Sequence, residues 1–503
     1  VTGRLSRRTL LSAAVATAAA APLAGCAGGG GTGGRLRAAF STAGARESLD
    51  PHTANLFVDQ ARAKALFDTL TGYADDMSVV PRLAESWESD ATGTRWRIRL
   101  RAARWHDGTP LTAEDVLYSY RRIVAQKLIA APLFAGLDPA HSGALGEREL
   151  ELVLAAPNFE FPTAWGAPAT EIVRAGTTGF AAPVGTGPFR FASFTPGGPA
   201  VFARFDGHWN GAPQLDELEF VPITEESARL GALLSGQVHY AHDLSAVSAR
   251  QVEGSDRTRL LVAPRSGMQA VALKRDRPPF DDPRLVRAVL AGVDREALVR
   301  VALNGRGEVG NDLFGKGLQH YAAAIPQRTR DVDAARALVR EAGAQGLRFE
   351  LDTSAADPAF DPATALLAEQ LAEVGLTVVP RVGPAETHFA DVLAGGVAGH
   401  VRSGALPLTT YLSTRVVGGR SGNYTRYRSR YADDLFAAAL RSPDPAGRAA
   451  RLVELQELTR DVSGTLVWGF SDRLVGVAAT VSGIVSAVPN AVGWARFDTA
   501  VLR

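Results

Sequence analysis

The chain of 503 residues contains a single cysteine, Cys26, so no disulfide and no thiolate metal cluster can form within it. Its nine histidines are scattered. His239 and His242 stand three apart, a spacing that on a helix would share one face, but no third ligand lies near them in sequence to complete a zinc site. His106 beside Asp107 could suggest acid–base chemistry. Followed by Gly108, which accepts a positive φ, the pair reads first as a turn whose side chains bond to backbone or water. Adjacent acids occur at Asp75-Asp76, Glu225-Glu226, Asp281-Asp282 and Asp433-Asp434. Neighbouring side chains point apart on helices and strands, so none of these is a ready catalytic dyad. There is no Gly-x-Ser-x-Gly elbow, phosphate loop, His-Glu-x-x-His or dinucleotide fingerprint, and Gly395-Gly396 and Gly418-Gly419 lack the strand and helix context such motifs need. The residues offer no catalytic centre, no metal site and no cofactor site.

The first segment reads as an address rather than as fold. Arg7 and Arg8 precede an apolar, Ala-rich run from Leu10 to Ala21, and Leu23-Ala24-Gly25-Cys26 follows. A charged start, a short apolar run and a small-residue cleavage site make a secretory signal, and the run is too short to span a bilayer. The paired arginines resemble a twin-arginine export signal. Leu-Ala-Gly-Cys resembles a bacterial lipobox, in which Cys26 would become the lipid-bearing first residue. Ala27 to Gly34, almost all glycine, would serve as a flexible tether.

The remainder has the makings of a large globular protein. A net charge of +1 leaves no electrostatic footprint for nucleic acid. The length implies at least two lobes, since single cores stop growing well below it. Alternation in Arg95–Leu100 predicts a strand with Trp96, Ile98 and Leu100 inward and an arginine stripe in water. Thr112 is a natural N-cap, with Glu114 and Asp115 in the first turn and Val116, Tyr120, Ile123 and Val124 as the buried stripe. Helices are expected over Val58–Leu70, after a cap at Thr224, and over Asp331–Ala342. Arg348–Asp352, Pro362–Val374 and Leu376–Arg381 read as strand, helix and parallel strand. Leu466–Phe470 and Leu474–Val477 read as late strands.

Several segments carry a resemblance. Leu49-Asp50-Pro51-His52, Pro81-Arg82-Leu83-Ala84-Glu85-Ser86-Trp87, the run Trp105 to Val116, Gly185-Thr186-Gly187-Pro188-Phe189, and Phe280 to Arg284 followed by Asp294-Arg295-Glu296 are similar, in order and spacing, to motifs of the family 5 solute-binding proteins of ABC importers for peptides and nickel. The resemblance implies an α/β, two-lobed periplasmic-binding-protein-like fold of the class II, cluster C type, with an extra subdomain inserted in lobe one. Carried onto this chain, it places a signal peptide at 1–25, a tether at 26–34, lobe one at 35–75, 186–268 and 475–503, the inserted subdomain at 76–185 and lobe two at 269–474. The crossings would fall near Met268, Gln269 and Arg473.

The function so implied is capture of a small solute by lobe closure and delivery to permease subunits and their ATPase. The protein would be a monomer, attached to the extracytoplasmic face of the membrane by its lipid alone. The alternatives are a secreted, lipid-anchored hydrolase, or a surface sensor that kept the fold and lost transport. Ligand contacts are expected at Asn55, Phe57, Met268, Gln269, His400, Arg402, Ser403, Tyr411, Asn423 and Tyr424. Peptide-binding relatives use a Trp-x-x-Asp-x-x-Asp-Pro segment whose acid meets the peptide amine. Aligned through Pro407 and Gly422-Asn423-Tyr424, this chain has His400 for the Trp, Ser403 for the amine-binding Asp and Leu406 for the other Asp. A buried amine without a countercharge is costly, and Arg402 and Arg415 would add positive charge nearby, so simple di- and tripeptides should bind weakly and neutral or anionic solutes better. A slipped alignment would instead bring in Asp391 or another acid.

Overall fold

In a computed structural model, residues 33–503 are described except Ala43 and Ser421. The export arginines Arg7 and Arg8, the lipidation residue Cys26 and the tether as far as residue 32 lie outside the described residues. The ordered pairing starts slightly before the expected end of the tether, since Gly34 O accepts a hydrogen bond from Asp216 N at 3.2 Å.

Two strands organise the molecule. Thr258–Leu273 has 16 residues and Thr465–Ala478 has 14, and they pair antiparallel along most of their length. They lie at the centre of one 11-stranded sheet that runs through both lobes. On one side follow Ala398–Gly404, Leu347–Thr353 and Leu376–Val382; on the other Tyr240–Ala241, Arg35–Phe40, Glu217–Pro222, Ala200–Arg204 and Phe189–Phe194; the eleventh strand, Gly307–Val309, pairs with Thr465–Ala478 off this path. The two segments read as separate late strands are thus one continuous strand. The ladder between the long strands shifts register twice, by a one-residue irregularity between Gln269 and Ala270 and by a longer break before Gly267. Pairing ends at Ala263 opposite Arg473 and resumes at Gly267 opposite Ser471. Residues 264–266 form the bulge, with Ser266 Oγ donating to Ala263 O at 2.8 Å and Arg265 N to Asp472 Oδ1 at 3.3 Å.

Separate cores pack on the two sides of that break. Leu36, Phe40, Leu66, Phe202, Phe220 and Val477 belong to one. Val286, Leu290, Leu351, Leu367 and Trp468 form a second, and Met268, Tyr411, Leu452 and Phe470 a third. A fourth, with Trp96, Ile98, Trp105, Val116, Tyr120 and Trp165, belongs to the four-stranded sheet built from residues 84–154. A small fifth cluster of Tyr73, Met77, Ala263, Ala405, Val488 and Ala491 sits at the junction.

Most local expectations are met. Trp96, Ile98 and Leu100 are buried while Arg95 pairs with Glu151 at 2.7 Å on the wet face. Leu347–Thr353 and Leu376–Val382 pair in parallel around the helix Phe360–Glu373. Differences have physical causes. The first helix is Phe57–Leu66 rather than Val58–Leu70, because Asp68 is drawn into a buried cluster where it meets Arg82 at 2.6 Å, Thr186 Oγ1 at 3.1 Å and Trp209 Nε1 at 3.1 Å. The helix Glu226–Leu234 is capped at Glu225, not Thr224, whose carbonyl accepts from Arg229 instead. His239 and His242 flank the strand Tyr240–Ala241 instead of sharing a helix face. His239 Nδ1 accepts from Arg37 N, and His242 stacks on Phe40 at 4.7 Å. Among the described residues no group of three or more His, Cys, Asp or Glu is placed to hold a metal, and no helix is long and apolar enough to cross a membrane.

Candidate functional site

The sequence motifs turn out to be braces. Gly185 and Gly187 lie against the end of the first helix so closely that a Cβ on Gly185 would stand 1.7 Å from Leu66 O. His106 holds them there: its Nε2 donates to Gly187 O at 3.0 Å and its Nδ1 accepts from Gly185 N at 3.0 Å. Burial pushes its pKa down to about 4, so the ring is neutral and the tautomer is fixed by these two bonds. Backbone bracing, not acid–base chemistry, occupies this turn. Asp115 accepts from Thr112 N at 2.8 Å and from Ala175 N at 2.8 Å, tying its helix to the loop that leads to Gly185.

The Leu49-Asp50-Pro51-His52 motif has a similar role. Arg122 reaches from the capped helix to Asp50 Oδ1 at 3.0 Å and to His52 Nδ1 at 2.6 Å. With Nδ1 thus an acceptor, Nε2–H donates to Glu171 O at 2.8 Å. Burial lowers His52 to about 4, with Arg122 adding to the shift, so this ring is neutral too.

Two cavities flank the junction between the lobes. One is lined in the second lobe by Met268, Ser403, Tyr411, Arg415 and Tyr424. Met268 and Ser403 are partners in the sheet and so share a face. Tyr411 stacks on Phe314 with ring centroids 3.8 Å apart, and its hydroxyl points at Met268 Sδ at 3.8 Å. Burial raises the Tyr411 pKa to about 12, so it stays a neutral donor. Arg415 lies over the Tyr424 ring at 4.7 Å and donates to Gly422 O at 3.3 Å. Among the described residues it meets no carboxylate within ion-pair distance. The other cavity is in the first lobe between the helix Phe57–Leu66, the stretch 166–171 and the stretch 490–494. Asn490 lines it and donates across the junction to Ala405 O at 2.8 Å, two residues beyond Ser403.

The residues expected to touch ligand are therefore divided. Met268, Ser403, Tyr411 and Tyr424 come together in the second-lobe cavity. Arg402 also borders it, but its guanidinium turns to Asp357 at 3.0 Å and over Phe389 at 5.5 Å. Gln269, its partner in the sheet, also bonds to Asp357, at 3.3 Å. Three expectations are corrected. His400 is fully buried, its Nε2 hydrogen-bonded to Thr364 Oγ1 at 2.8 Å and its ring stacked on Phe360 at 4.8 Å. It faces the helix Phe360–Glu373, because the odd-even alternation of the strand Ala398–Gly404 separates it from Ser403. Asn423 is a turn staple, donating to Tyr427 O at 2.8 Å and accepting from Thr425 Oγ1 at 3.1 Å. Arg402 does not add an unpaired positive charge. In the first lobe, Phe57 packs on His242, Trp494 and Arg473, and Asn55 is exposed beside it. The alternative acid Asp391 is exposed and accepts from Thr387 Oγ1 at 2.7 Å at the start of its own helix.

Sequence reasoning missed Gln60, Lys64, Glu171 and Asn490, which line the first-lobe cavity. A signal was available for two. Lys64 is one of four lysines in a chain with 54 basic residues, and Glu171 is a lone acid in an apolar stretch running to Val173.

Comparison with known proteins agrees with this architecture. The glutathione-binding protein GsiB of Pectobacterium atrosepticum is 26% identical over 361 residues, covering 70% of this chain and 70% of GsiB. The periplasmic binding protein AgaA of A. tumefaciens R10, solved with agropinic acid, superposes with a TM-score of 0.78 at 23% identity, covering 93% of this chain and 99% of AgaA. The ABC transporter substrate-binding protein CtaP of Listeria monocytogenes superposes with a TM-score of 0.84 at 18% identity, covering 93% and 99%. A sequence model of the bacterial extracellular solute-binding proteins, family 5 Middle, matches residues 78–408. On that match across more than half its length, the chain belongs to the family 5 extracellular solute-binding proteins.

Proposed function

We propose that the solute carried by this protein is an organic molecule whose second-lobe end is neutral or anionic, and that the protein presents it from a lipid anchor on Cys26. The class is plain from the family: this is a substrate-binding protein of an ABC importer, not an enzyme, and the hydrolase alternative falls away. Arg415 carries the finer reading. It stands over Tyr424 in the cavity wall without a carboxylate among the described residues, while Ser403 offers a hydroxyl where a peptide amine would need an acid. A cation over a ring face and a neutral tyrosine donor suit a carboxylate or a carbonyl and disfavour an ammonium. The relatives fit without deciding it, since one is named for glutathione and another was solved with agropinic acid. The bulge at 264–266 opposite Asp472 is the natural hinge, being the longer of the two interruptions in the ladder of the long strands.

Titration calorimetry with a mixed pool of α-linked di- and tripeptides should give no micromolar binding. Micromolar binding that disappears on acetylating their amino termini would overturn the assignment of the second-lobe cavity. The anchor is tested separately: a fatty-acid probe should label wild-type cells and not the Cys26→Ala variant, and equal labelling would remove the lipid from the account.

A further inference from the structure

The first-lobe cavity holds two ionisable side chains that the braces and the fold leave partly unused. Lys64 donates to Ala491 O and to Trp494 O, both at 2.7 Å. An ammonium has three N–H groups, so one is left to face the cavity that Lys64 lines. Glu171 is 6% exposed and also lines the cavity, and its Oε2 has no hydrogen-bond partner among the described residues. Gln60 Oε1 is without a partner as well. A free donor on one group and free acceptors on two others are what a zwitterion requires.

Glu171 is also held in place. His52 fixes its carbonyl, as described, and Ala169, two residues before it, sits at φ 66°, a left-handed conformation that alanine seldom adopts. Strain of this kind persists where the surroundings dictate it, often at ligand sites. Burial pushes the Glu171 carboxyl up to about 8 and the Lys64 ammonium down to about 7, Arg82 adding to the latter. Arg82 itself is taken by Asp68, and Asp498 and Arg496 lie near Lys64 with opposite signs. Lys64 and Glu171 already favour one another's charged forms, but burial outweighs that attraction and holds each near neutrality, so a ligand group of opposite sign in direct contact would restore the charge.

Resting on the reading of the second-lobe cavity above, we infer that this first-lobe cavity takes the head group of an α-amino acid, its ammonium on Glu171 and Gln60 and its carboxylate on Lys64, with the rest of the solute directed toward Ser403 and Tyr411. A peptide with an ordinary amino terminus has an amide where the carboxylate belongs. A γ-linked glutamyl compound, or an amino acid conjugated through its side chain, keeps both groups on one carbon.

The test uses the whole protein and the dipeptide γ-glutamylglycine, with its N-acetyl and α-amide derivatives. Wild type should bind the parent at least tenfold tighter than either derivative. Glu171→Gln should abolish discrimination against the N-acetyl form, and Lys64→Met discrimination against the α-amide, each with at least tenfold weaker binding of the parent. Equal wild-type affinity for all three probes would overturn the inference even if neither variant folds, and so would no binding of the parent. If both variants bind as wild type while Arg415→Ala loses affinity, the head-group assignment fails and the second-lobe reading stands. If Arg415→Ala binds normally and Glu171→Gln does not, the reverse holds.

Discussion

Four histidines are held neutral by the interior. Burial lowers His52 and His106 to about 4, and His242 and His400 to about 3. In the unfolded chain each returns to about 6.5. Between these values the unfolded state binds more protons, so the stability they contribute is complete above pH 6.5 and is lost as pH falls toward 4, by up to about 1.4 kcal/mol per pH unit for each ring. Glu171 opposes one of them. Its folded pKa of about 8 lies above the ordinary 4.5, so its contribution to stability grows as pH falls from 8 to 4.5. The net expectation is a fall of roughly 4 kcal/mol per pH unit near pH 5.5. Scanning calorimetry from pH 7 to 4.5 should show a steep drop in Tm, and His400→Asn should flatten it by about one proton's worth; an unchanged slope would show that His400 is not held neutral. At this scale the sequence was only half legible. That His106 would bond to backbone follows from its turn. That His400 faces a helix and not a ligand depends on which face of a strand is buried, which alternation alone leaves open when both faces are covered.

The elements were more legible than the residues, because their signals are local. Strict alternation placed Arg95–Leu100, and the helix expected over Asp331–Ala342 is Val332–Glu341, with Asp331 as its cap accepting from Ala334 N. What remained hidden were long-range contacts that end an element early, such as the Asp68 cluster, or join two into one, as in Thr465–Ala478. Glycine separates the two kinds of information. Gly185→Ala would drive a Cβ into Leu66 O, a backbone atom that cannot swing away, and should cost about 3 kcal/mol or more. Gly231→Ala, inside the helix Glu226–Leu234 with open space around its Cβ, should instead add up to about 1 kcal/mol. Urea unfolding of both variants checks the pair; a harmless Gly185→Ala would mean that the first helix and the 185–189 turn are not so tightly joined.

At the scale of the whole molecule, the described conformation has the inserted subdomain in contact with the second lobe. Glu160 and Arg448 pair at 2.6 Å with side chains only 11% and 13% exposed. Phe159 N donates to Leu440 O at 2.8 Å, and Gln319 N to Asp76 O at 2.7 Å. With Asn490 on Ala405, these bonds link regions that share no sheet except through the two long strands, so they form and break with the angle between the lobes. The ion pair is the strongest of them. An exposed pair contributes at most about 1 kcal/mol, but removing one partner of a buried pair costs 3–5 kcal/mol. A pair this enclosed belongs between those limits, at about 2 kcal/mol, enough to move a closure equilibrium roughly thirtyfold. Arg448→Ala strands Glu160 in the closed form and leaves it hydrated in the open one, so the penalty falls on closure. Solute should then leave about tenfold faster or more, while the association rate changes little, since encounter precedes closure. Small-angle scattering should show a larger radius of gyration than wild type without ligand. The thermal midpoint should fall only modestly, because among the described residues the Arg448 side chain otherwise donates only to Ser442 O, at 2.8 Å. Glu160→Gln with Arg448→Met removes both charges and should recover much of the loss. If Arg448→Ala scatters like wild type and releases solute at the same rate, the Glu160–Arg448 pair does not govern closure.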